Sequence, residues 1–213
     1  MLNRPFACIS DVHGNFAALQ VVLSELGRRA ISDVLVAGDL LYGGDSPREV
    51  WQALQNIRAQ CIQGPSDKAL YELQSQPLSA QDDSQRASLD RFRSTQQALG
   101  DLVLMQLRRL PFSIRHPLVD GGELLLVHGA PLDPFEEISV DLDDAEILRL
   151  LNDDPADLIV CGGSHVPFHR FVDNVQVINA GSVGQAPEGA IAHVTVITPK
   201  SAGVEVDQLW LPY

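Results

Sequence analysis

Blocks of hydrophobic residues separated by polar turns predict alternating strands and helices in the first third of the chain. The block PFACIS is short and apolar, which is typical of a buried strand. The segment that follows, from Asn15 to Arg28, places apolar residues on one helical face: Phe16, Leu19, Val22, Leu23 and Leu26. The pattern therefore predicts a strand, a glycine-containing turn and a helix, in that order.

Two further strands are predicted at SDVLVAGD and AQCIQG, with a helix between them in SPREVWQALQNI. Ser46 is the expected cap of this helix, Pro47 occupies its first position, and Glu49 completes a capping box. Repeated strand and helix segments of this kind predict a parallel sheet. Functional residues are then expected at the carboxyl ends of its strands.

The pattern becomes helical between Lys68 and Leu110, with a Gln-, Ser- and Asp-rich middle from Gln74 to Gln97. We interpret residues 68–110 as an inserted helical cap or a mobile excursion with a solvated polar face. Strands return at ELLLV, DLIVC, RFVDNVQVIN, AIAHVTVIT and GVEVDQLWL, and DDAEILRLLN is a helix between the first two. The short turns between several of them predict antiparallel or mixed pairing. We expect residues 1–213 to form one domain.

The charge balance argues against polymeric anions as partners. The chain has 28 acidic and 15 basic residues and a net charge of −13. Such a surface repels phosphate backbones and anionic membranes at long range, so we expect neither nucleic acid nor membrane as a partner. A small anionic substrate remains compatible with this charge, because a bound metal ion can reverse the local field.

The three cysteines indicate a reducing compartment. Cys8, Cys61 and Cys161 lie far apart, without the spacing of a zinc ribbon or a redox pair, and each adjoins an apolar run. We expect buried free thiols. No apolar run approaches the roughly 18 residues of a membrane span, and the N-terminus lacks the apolar core of a signal peptide. We therefore expect a cytoplasmic protein.

Acidic and imidazole side chains follow several of the predicted strands. Asp11 and His13 are two residues apart at the end of the first strand, so strand alternation would direct both side chains to one point. A carboxylate and an imidazole that converge suit a divalent metal ion. Asp39 follows the next strand at the equivalent place, although an aspartate after glycine is also a common turn residue.

Two later strands end in histidines within glycine-containing turns. His128 follows ELLLV and His165 follows DLIVCGGS. Each histidine alone is better explained by a structural role, but the coincidence of all these strand-end groups favours a metal site. Three other histidines lack this context and are interpreted as surface or structural residues: His116, His169 and His193.

Six motifs in one order resemble those of the calcineurin-like metallophosphoesterase superfamily, specifically its small bacterial and archaeal phosphodiesterase-type members. They cover nearly the whole chain: DVHGN, GDLLYGG, QGPSD, VHGAP, GGSHVP and INAGSVGQ. The resemblance implies an α/β fold in which two mixed sheets pack as a sandwich flanked by helices. It also implies two metal ions at one edge, bridged by an aspartate and a hydroxide.

The resemblance assigns metal ligands by position. The first metal position is complete and consists of Asp11, His13, Asp39 and His165. The second position shares Asp39 and keeps His128, but Pro65 and Gly163 stand where the family has an asparagine and a histidine. Ser66 replaces the family's catalytic histidine, so the sequence leaves the catalytic residues unassigned.

These replacements predict an impaired second site rather than a lost reaction. One metal ion can still lower the pKa of bound water from about 15.7 to near 7 and so supply a hydroxide nucleophile. Loss of the general acid should cost on the order of 10²- to 10⁴-fold, and less for acidic leaving groups. Asp67 could reach the second metal, or could with Ser66 cap the helix that starts near Lys68.

Two further residues or segments have alternative explanations. Asn15 could orient a metal-bound group, but we favour its role as a helix N-cap. The segment NAGSVGQ, from Asn179 to Gln185, resembles the family's NPGSVGQ loop with Ala180 in place of proline. Its glycines would allow a close backbone approach to the site or simply form a tight turn.

Three functions remain open. The first is a phosphoesterase for a small phosphate mono- or diester, with at least one divalent transition metal ion per chain. Mixed nitrogen and oxygen ligands suit manganese, iron, zinc or nickel. The second is a degenerate family member that binds a phosphorylated ligand without efficient turnover. The third is an interaction protein in which residues 68–110 contact a partner or a second copy, so a homo-oligomer is also compatible with the sequence.

Overall fold

The computed structural model describes residues 1–73 and 82–213. The strands and helices follow one another along the chain with these bounds: β1 (Phe6–Ile9), α1 (Phe16–Arg28), β2 (Asp33–Val36), α2 (Pro47–Asn56), β3 (Gln60–Cys61), α3 (Pro65–Glu72), α4 (Asp83–Leu107), β4 (Ser113–Pro117), β5 (Glu123–Val127), α5 (Asp144–Leu151), β6 (Leu158–Cys161), β7 (Phe168–Val172), β8 (Val175–Asn179), β9 (Ile191–Pro199) and β10 (Val204–Pro212).

The strands form two mixed five-stranded sheets, as the resemblance implied. The first sheet has the order β10-β9-β1-β2-β3. Strands β1, β2 and β3 are parallel to one another, and β9 is antiparallel to both of its neighbours, β1 and β10. The second has the order β4-β5-β6-β8-β7, in which β5, β6 and β8 are parallel and the edge strands β4 and β7 are antiparallel. The carboxyl ends of β1 and β2 are therefore adjacent, as are those of β5 and β6.

Three apolar layers hold the sheets and helices together. The layer between the sheets includes Phe6 and Leu35 from the first sheet and Leu124 and Val160 from the second. A second layer packs α1, α2, α3 and α4 against the outer face of the first sheet. A third layer packs α5 against the outer face of the second sheet. The α/β/β/α arrangement is thus confirmed.

The predicted excursion at 68–110 is helical, but its apolar residues belong to the main core. Leu70 of α3 and Leu99, Leu104 and Leu107 of α4 are buried with the residues of α1 and β1. Helix α4 bends at Gly100, which has φ 71° and ψ 168°. Part of the polar middle, residues 74–81, lies outside the described residues. The described part of the segment therefore covers the first sheet.

Three local predictions are wrong. The segment RFVDNVQVIN forms two strands, β7 and β8, because Asp173 turns the chain with φ 53°. The Ser46 side chain makes no capping hydrogen bond within the described part of the chain, although Pro47 does occupy the first position of α2. Strand β4 was not predicted, because its alternately exposed, partly polar residues lie at a sheet edge.

The predicted free thiols are confirmed: Cys8, Cys61 and Cys161 are all buried and unpaired with one another. Burial raises the pKa of the Cys61 and Cys161 thiols to about 12, so neither thiol is a nucleophile at neutral pH. None of the helices within 1–73 and 82–213 combines the length and the apolar composition that a membrane crossing requires.

Candidate metal centre

The predicted strand-end residues meet at one edge of the sandwich. Asp11 and His13 follow β1, Asp39 follows β2, His128 follows β5 and His165 lies in the turn after β6. Parallel neighbours present their carboxyl ends at the same edge, and the stacking of the two sheets brings the two pairs of ends together. The structure therefore gathers all five residues, which the chain separates by up to 154 positions (165 minus 11).

The backbone turn, and not strand alternation, aims Asp11 and His13. Strand β1 ends at Ile9, before both residues. Four residues of the group adopt left-handed backbone angles, with φ of 54° at Asp11, 48° at His13, 53° at Asp39 and 61° at His165. Such angles are unfavourable for residues other than glycine, and they cluster at functional sites. The predicted geometric reason was wrong, although the predicted convergence is observed.

Asp11, His13 and His165 form the tighter of two groups of potential ligands. The Asp11 Oδ1 atom lies 3.2 Å from His165 Nε2 and 3.6 Å from His13 Nε2. The two Nε2 atoms are 3.1 Å apart. Two imidazole nitrogens and one carboxylate oxygen thus face a common point.

Hydrogen bonds to backbone carbonyls fix the orientation of each imidazole. His13 Nδ1 lies 2.7 Å from the Tyr42 carbonyl oxygen, and His165 Nδ1 lies 3.1 Å from that of Gln185. A carbonyl can only accept, so each Nδ1 carries a proton, and in the neutral imidazole each Nε2 then presents a lone pair. In the neutral rings two lone pairs 3.1 Å apart repel each other, and either a proton or a metal ion between them relieves this repulsion. The residues present therefore fit a divalent metal ion.

Asp11, Asp39 and His128 form the second group. The Asp39 Oδ2 atom lies 4.0 Å from His128 Nε2 and 3.9 Å from His13 Nε2, so Asp39 stands between the two groups. His128 Nδ1 donates to the Ala37 carbonyl oxygen at 2.6 Å, which leaves its Nε2 lone pair facing the site. Asp39 thus lies near both groups, whereas Asp11 is the residue common to the two, and the bridging role that the resemblance implied for Asp39 stays a prediction.

The Asp11 carboxylate is the electrostatic centre of the site. It is fully buried, its Oδ2 accepts a hydrogen bond from Gly163 N–H at 3.0 Å, and its Oδ1 has no hydrogen-bond donor among the described residues. Burial alone would raise its pKa, but His13, His165 and His128 together hold that pKa below the ordinary range. Burial lowers the pKa of His13 and of His165. The nearby Asp11 carboxylate, together with Asp39 in the case of His13, outweighs burial, so the pKa of both histidines is raised. Such a site favours a bound cation.

Two of the positions where the resemblance implied replacements, 66 and 163, donate backbone N–H groups to the site. Ser66 donates its backbone N–H to Asp39 Oδ1 at 3.0 Å, and Gly163 donates to Asp11. Pro65, the first residue of α3, lines a cavity of about 310 Å³ in front of the site. The other residues that line this cavity are Asp39, His128, Gly129, Pro134, Phe135, Glu137, Gly163 and His165.

Asp67 caps α3 and is not directed at the metal ligands. Its carboxylate accepts hydrogen bonds from Gly64 N–H at 3.1 Å and from Leu40 N–H at 3.0 Å. Burial and the nearby charge of Asp39 raise its pKa to about 7. Of the two explanations that the sequence left open, the helix cap is the one that these contacts support.

Replacement of Asp67 by alanine should therefore lower stability without changing metal content. The buried N–H groups of Leu40 and Gly64 would lose their acceptor, which costs about 1 to 3 kcal/mol. Urea unfolding measures the loss, and elemental analysis counts the metal. The matched control is Asp83→Ala at the start of α4, where the side chain is 98% exposed and a change below about 0.5 kcal/mol is expected. Loss of an ion in Asp67→Ala alone would contradict the capping role.

The loop 179–185 closes on the turn that carries Asp11. Val183 N–H donates to the Ser10 carbonyl at 3.0 Å and Gly184 N–H to the Asp11 carbonyl at 2.9 Å. A Cβ atom on Gly184 would overlap the Val12 carbonyl oxygen, so only glycine permits this approach. Of the two explanations for these glycines, the structure shows the close backbone approach.

Asn15 is the N-cap of α1, as predicted, and its Oδ1 accepts from Ala18 N–H at 3.1 Å.

The three remaining histidines lie outside the site. His193 is buried and accepts a hydrogen bond from Ser182 N–H at 3.1 Å, His116 lies 3.1 Å from the Gln60 side chain, and His169 is exposed. The sequence pattern missed the residues that orient the imidazoles, because they act through backbone carbonyls that any residue type could supply.

Comparison with known proteins identifies the fold and the family. The structure resembles the hypothetical protein PH1004 from Pyrococcus horikoshii OT3, with a TM-score of 0.82 and 22% identity over 98% of this chain and 88% of that one. It also resembles a metallophosphoesterase from Sphaerobacter thermophilus, with a TM-score of 0.80 and 24% identity over 100% and 89%. At these identities the structural likeness establishes the fold.

Sequence comparison identifies a relative and the family. The uncharacterized protein MJ0912 of Methanocaldococcus jannaschii is 25% identical over 214 residues, an alignment that covers 89% of this chain and 80% of that protein. The profile of the calcineurin-like phosphoesterase superfamily domain matches residues 5–202, almost the whole chain. This protein therefore belongs to the calcineurin-like phosphoesterase superfamily.

Proposed function

We propose that the protein is a metal-dependent phosphoesterase that hydrolyses a small phosphate mono- or diester. The observation that carries this proposal is the convergence of Asp11 Oδ1 with the Nε2 atoms of His13 and His165, within 3.6 Å. Lone pairs of two neutral imidazoles and an ionised carboxylate form a site for a divalent ion such as manganese, iron, zinc or nickel. Membership of the phosphoesterase superfamily supports the reaction class.

The chain's own groups have defined tasks in this reaction. When bound, the metal ion supplies Lewis acidity, which lowers the pKa of a coordinated water and polarises the phosphoryl group. Asp11, His13, Asp39 and His165 would hold it. The carbonyls of Tyr42 and Gln185 keep the imidazoles of His13 and His165 in the required tautomer.

The leaving group is expected to be acidic. Ser66 stands where the family has its general acid, and a serine hydroxyl does not protonate a departing alkoxide at neutral pH. An aryl or phosphoryl leaving group needs little protonation. We therefore propose a substrate of that class.

A cationic and aromatic wall beside the cavity suits a small phosphorylated compound. Lys68 Nζ lies 4.9 Å from the centre of the Phe135 ring and 5.9 Å from that of Phe112. Phe135 lines the cavity in front of the metal ligands. The ammonium group also lies 3.8 Å from Glu72 Oε1, and in a chain with a net charge of −13 an incoming anion would compete with that carboxylate for it. The three buried free thiols support a reducing compartment, which we propose to be the cytoplasm.

The second candidate is a binding module with little turnover, which the serine at position 66 favours. Metal-free protein loaded with Mn²⁺ and assayed with bis(p-nitrophenyl) phosphate and p-nitrophenyl phosphate separates the two. Mn²⁺-dependent release of p-nitrophenol supports the esterase. Bound Mn²⁺ without turnover, but with phosphate binding in calorimetry, supports the module. Absence of bound metal after loading would overturn both.

A further inference from the structure

One acidic side chain of the cavity belongs to no predicted ligand set. Glu137 lies in the segment that follows His128 and lines the same cavity as Asp39, His128 and Gly163. We propose that Glu137 is a ligand of the second metal ion, in the place of the histidine that position 163 lacks. The inference rests on the metal centre of the proposed function and extends it to a second ion held by Asp39, His128 and Glu137.

The direction that a side chain would take from position 163 indicates where the second ion would lie. A Cβ atom built on Gly163 would lie 3.5 Å from His128 Nε2, so a side chain there would begin beside the free lone pair of His128. The same Cβ atom would lie 3.4 Å from Glu137 Cγ, which is van der Waals contact. Glu137 therefore occupies the neighbourhood of a histidine at position 163. Its carboxyl group is one bond beyond Cγ, and a rotation of the side chain would be needed to bring it to an ion at Asp39 and His128, since the carboxylate oxygens lie outside the compact groups of ligand atoms.

The backbone on both sides of Glu137 is anchored. Ala130 N–H donates to the Glu136 carbonyl at 2.8 Å, which closes the loop 130–136. The Ile138 side chain is fully buried, and its carbonyl accepts from Asn179 Nδ2 at 3.2 Å. Glu137 itself is exposed, and the fixed backbone on both sides keeps it at the rim of the cavity. Such anchoring is what a metal ligand requires.

The Glu137 carboxylate has no competing partner. It forms no hydrogen bond or ion pair with any other residue in the ranges 1–73 and 82–213. A carboxylate that faces Asp39 across a cavity adds to the local negative charge, which a second cation would neutralise.

The ligand set changes the kind of ion that the second position prefers. Two carboxylates and one imidazole form a harder, more oxygen-rich set than the family's asparagine and two histidines with one carboxylate. We therefore expect the second ion to be a hard divalent cation, with Mn²⁺ favoured over Zn²⁺ relative to the first position.

Isothermal titration of the metal-free full-length protein with Mn²⁺ tests this inference, together with elemental analysis and electron paramagnetic resonance. Wild type is expected to bind two Mn²⁺ ions and to show an exchange-coupled pair. Glu137→Gln should keep the first ion and weaken the second by on the order of 100-fold or more, a loss at or above the upper range for groups that merely surround a ligand. Glu136→Gln is the matched control, because Glu136 is exposed like Glu137 but does not line the cavity. It should bind two ions.

The outcomes separate this inference from the proposed function. Two equally tight ions in Glu137→Gln, or only one ion in wild type, would overturn the role of Glu137 and leave a one-metal esterase intact. No Mn²⁺ in wild type would overturn both. Partial return of the second ion in the double variant Glu137→Gln with Gly163→His would support the shared position, since an imidazole at 163 would start 3.5 Å from His128 Nε2.

Discussion

Asp11→Asn is expected to abolish metal binding by the His13 and His165 group and to lower hydrolysis on the order of 10³-fold or more. Asp11 belongs to both ligand groups, so its loss affects each of them. The amide oxygen can still accept from Gly163 N–H, while the amide NH₂ would point at the Nε2 atoms of His13 and His165. A metal ion that supplies several kcal/mol to the transition state accounts for a loss of this size.

The same variant should remain folded, which separates it from a merely unstable one. The amide NH₂ would donate to imidazole nitrogens that otherwise repel each other at 3.1 Å. In wild type, a metal ion that binds only the folded state adds to its stability, so a chelator should lower the free energy of unfolding by about 2.7 kcal/mol when the metal had been present at 100 times its Kd. Asp11→Asn should show a smaller response to the chelator, because it lacks the ion held with His13 and His165.

Asp45→Asn provides the matched control, because Asp45 is an exposed carboxylate in a nearby turn that belongs to neither ligand group. It should keep the wild-type metal content and rate. Differential scanning calorimetry with and without chelator, together with elemental analysis, measures both effects. A full complement of metal in Asp11→Asn would show that the site is organised differently from the one described above.

Gly184→Ala is expected to lower the free energy of unfolding by about 2 to 4 kcal/mol. The new Cβ atom would overlap the Val12 carbonyl oxygen and would lie 3.0 Å from Asn15 Cβ. Both the loop and the turn are held by backbone hydrogen bonds, so neither can move without breaking them. Because Gln185 orients His165, the variant should also bind metal more weakly.

Gly27→Ala is the matched control for this substitution. Gly27 is helical, near the end of α1, and no atom of the described residues would lie within 4 Å of a new Cβ atom there. Removing backbone freedom from the unfolded chain should raise stability by about 0.5 to 1 kcal/mol. Urea unfolding of the two variants should therefore give shifts of opposite sign. An unchanged free energy of unfolding in Gly184→Ala would show that the loop 179–185 is not in close contact with the turn that carries Asp11.

Local pattern was sufficient for most of the fold. The apolar spacing in 16–28 and the blocks FACI and DVLV correspond to α1, β1 and β2 within about two residues. Such elements are set by neighbours three or four positions apart in a helix and two apart in a strand. Prediction failed where the outcome depended on distant partners, as for the edge strand β4 and the turn at Asp173.

The sequence by itself determined which residue types stand after each strand, and so it predicted that Asp11, His13, Asp39, His128 and His165 would meet. Only the tertiary structure decided how they meet. The left-handed turns, the carbonyls that orient each imidazole, the capping role of Asp67 and the position of Glu137 all depend on segments brought together by the packing of the two sheets. The type of each residue can be read directly from the sequence. Its distance to a residue a hundred positions away depends on the free energy of the whole fold.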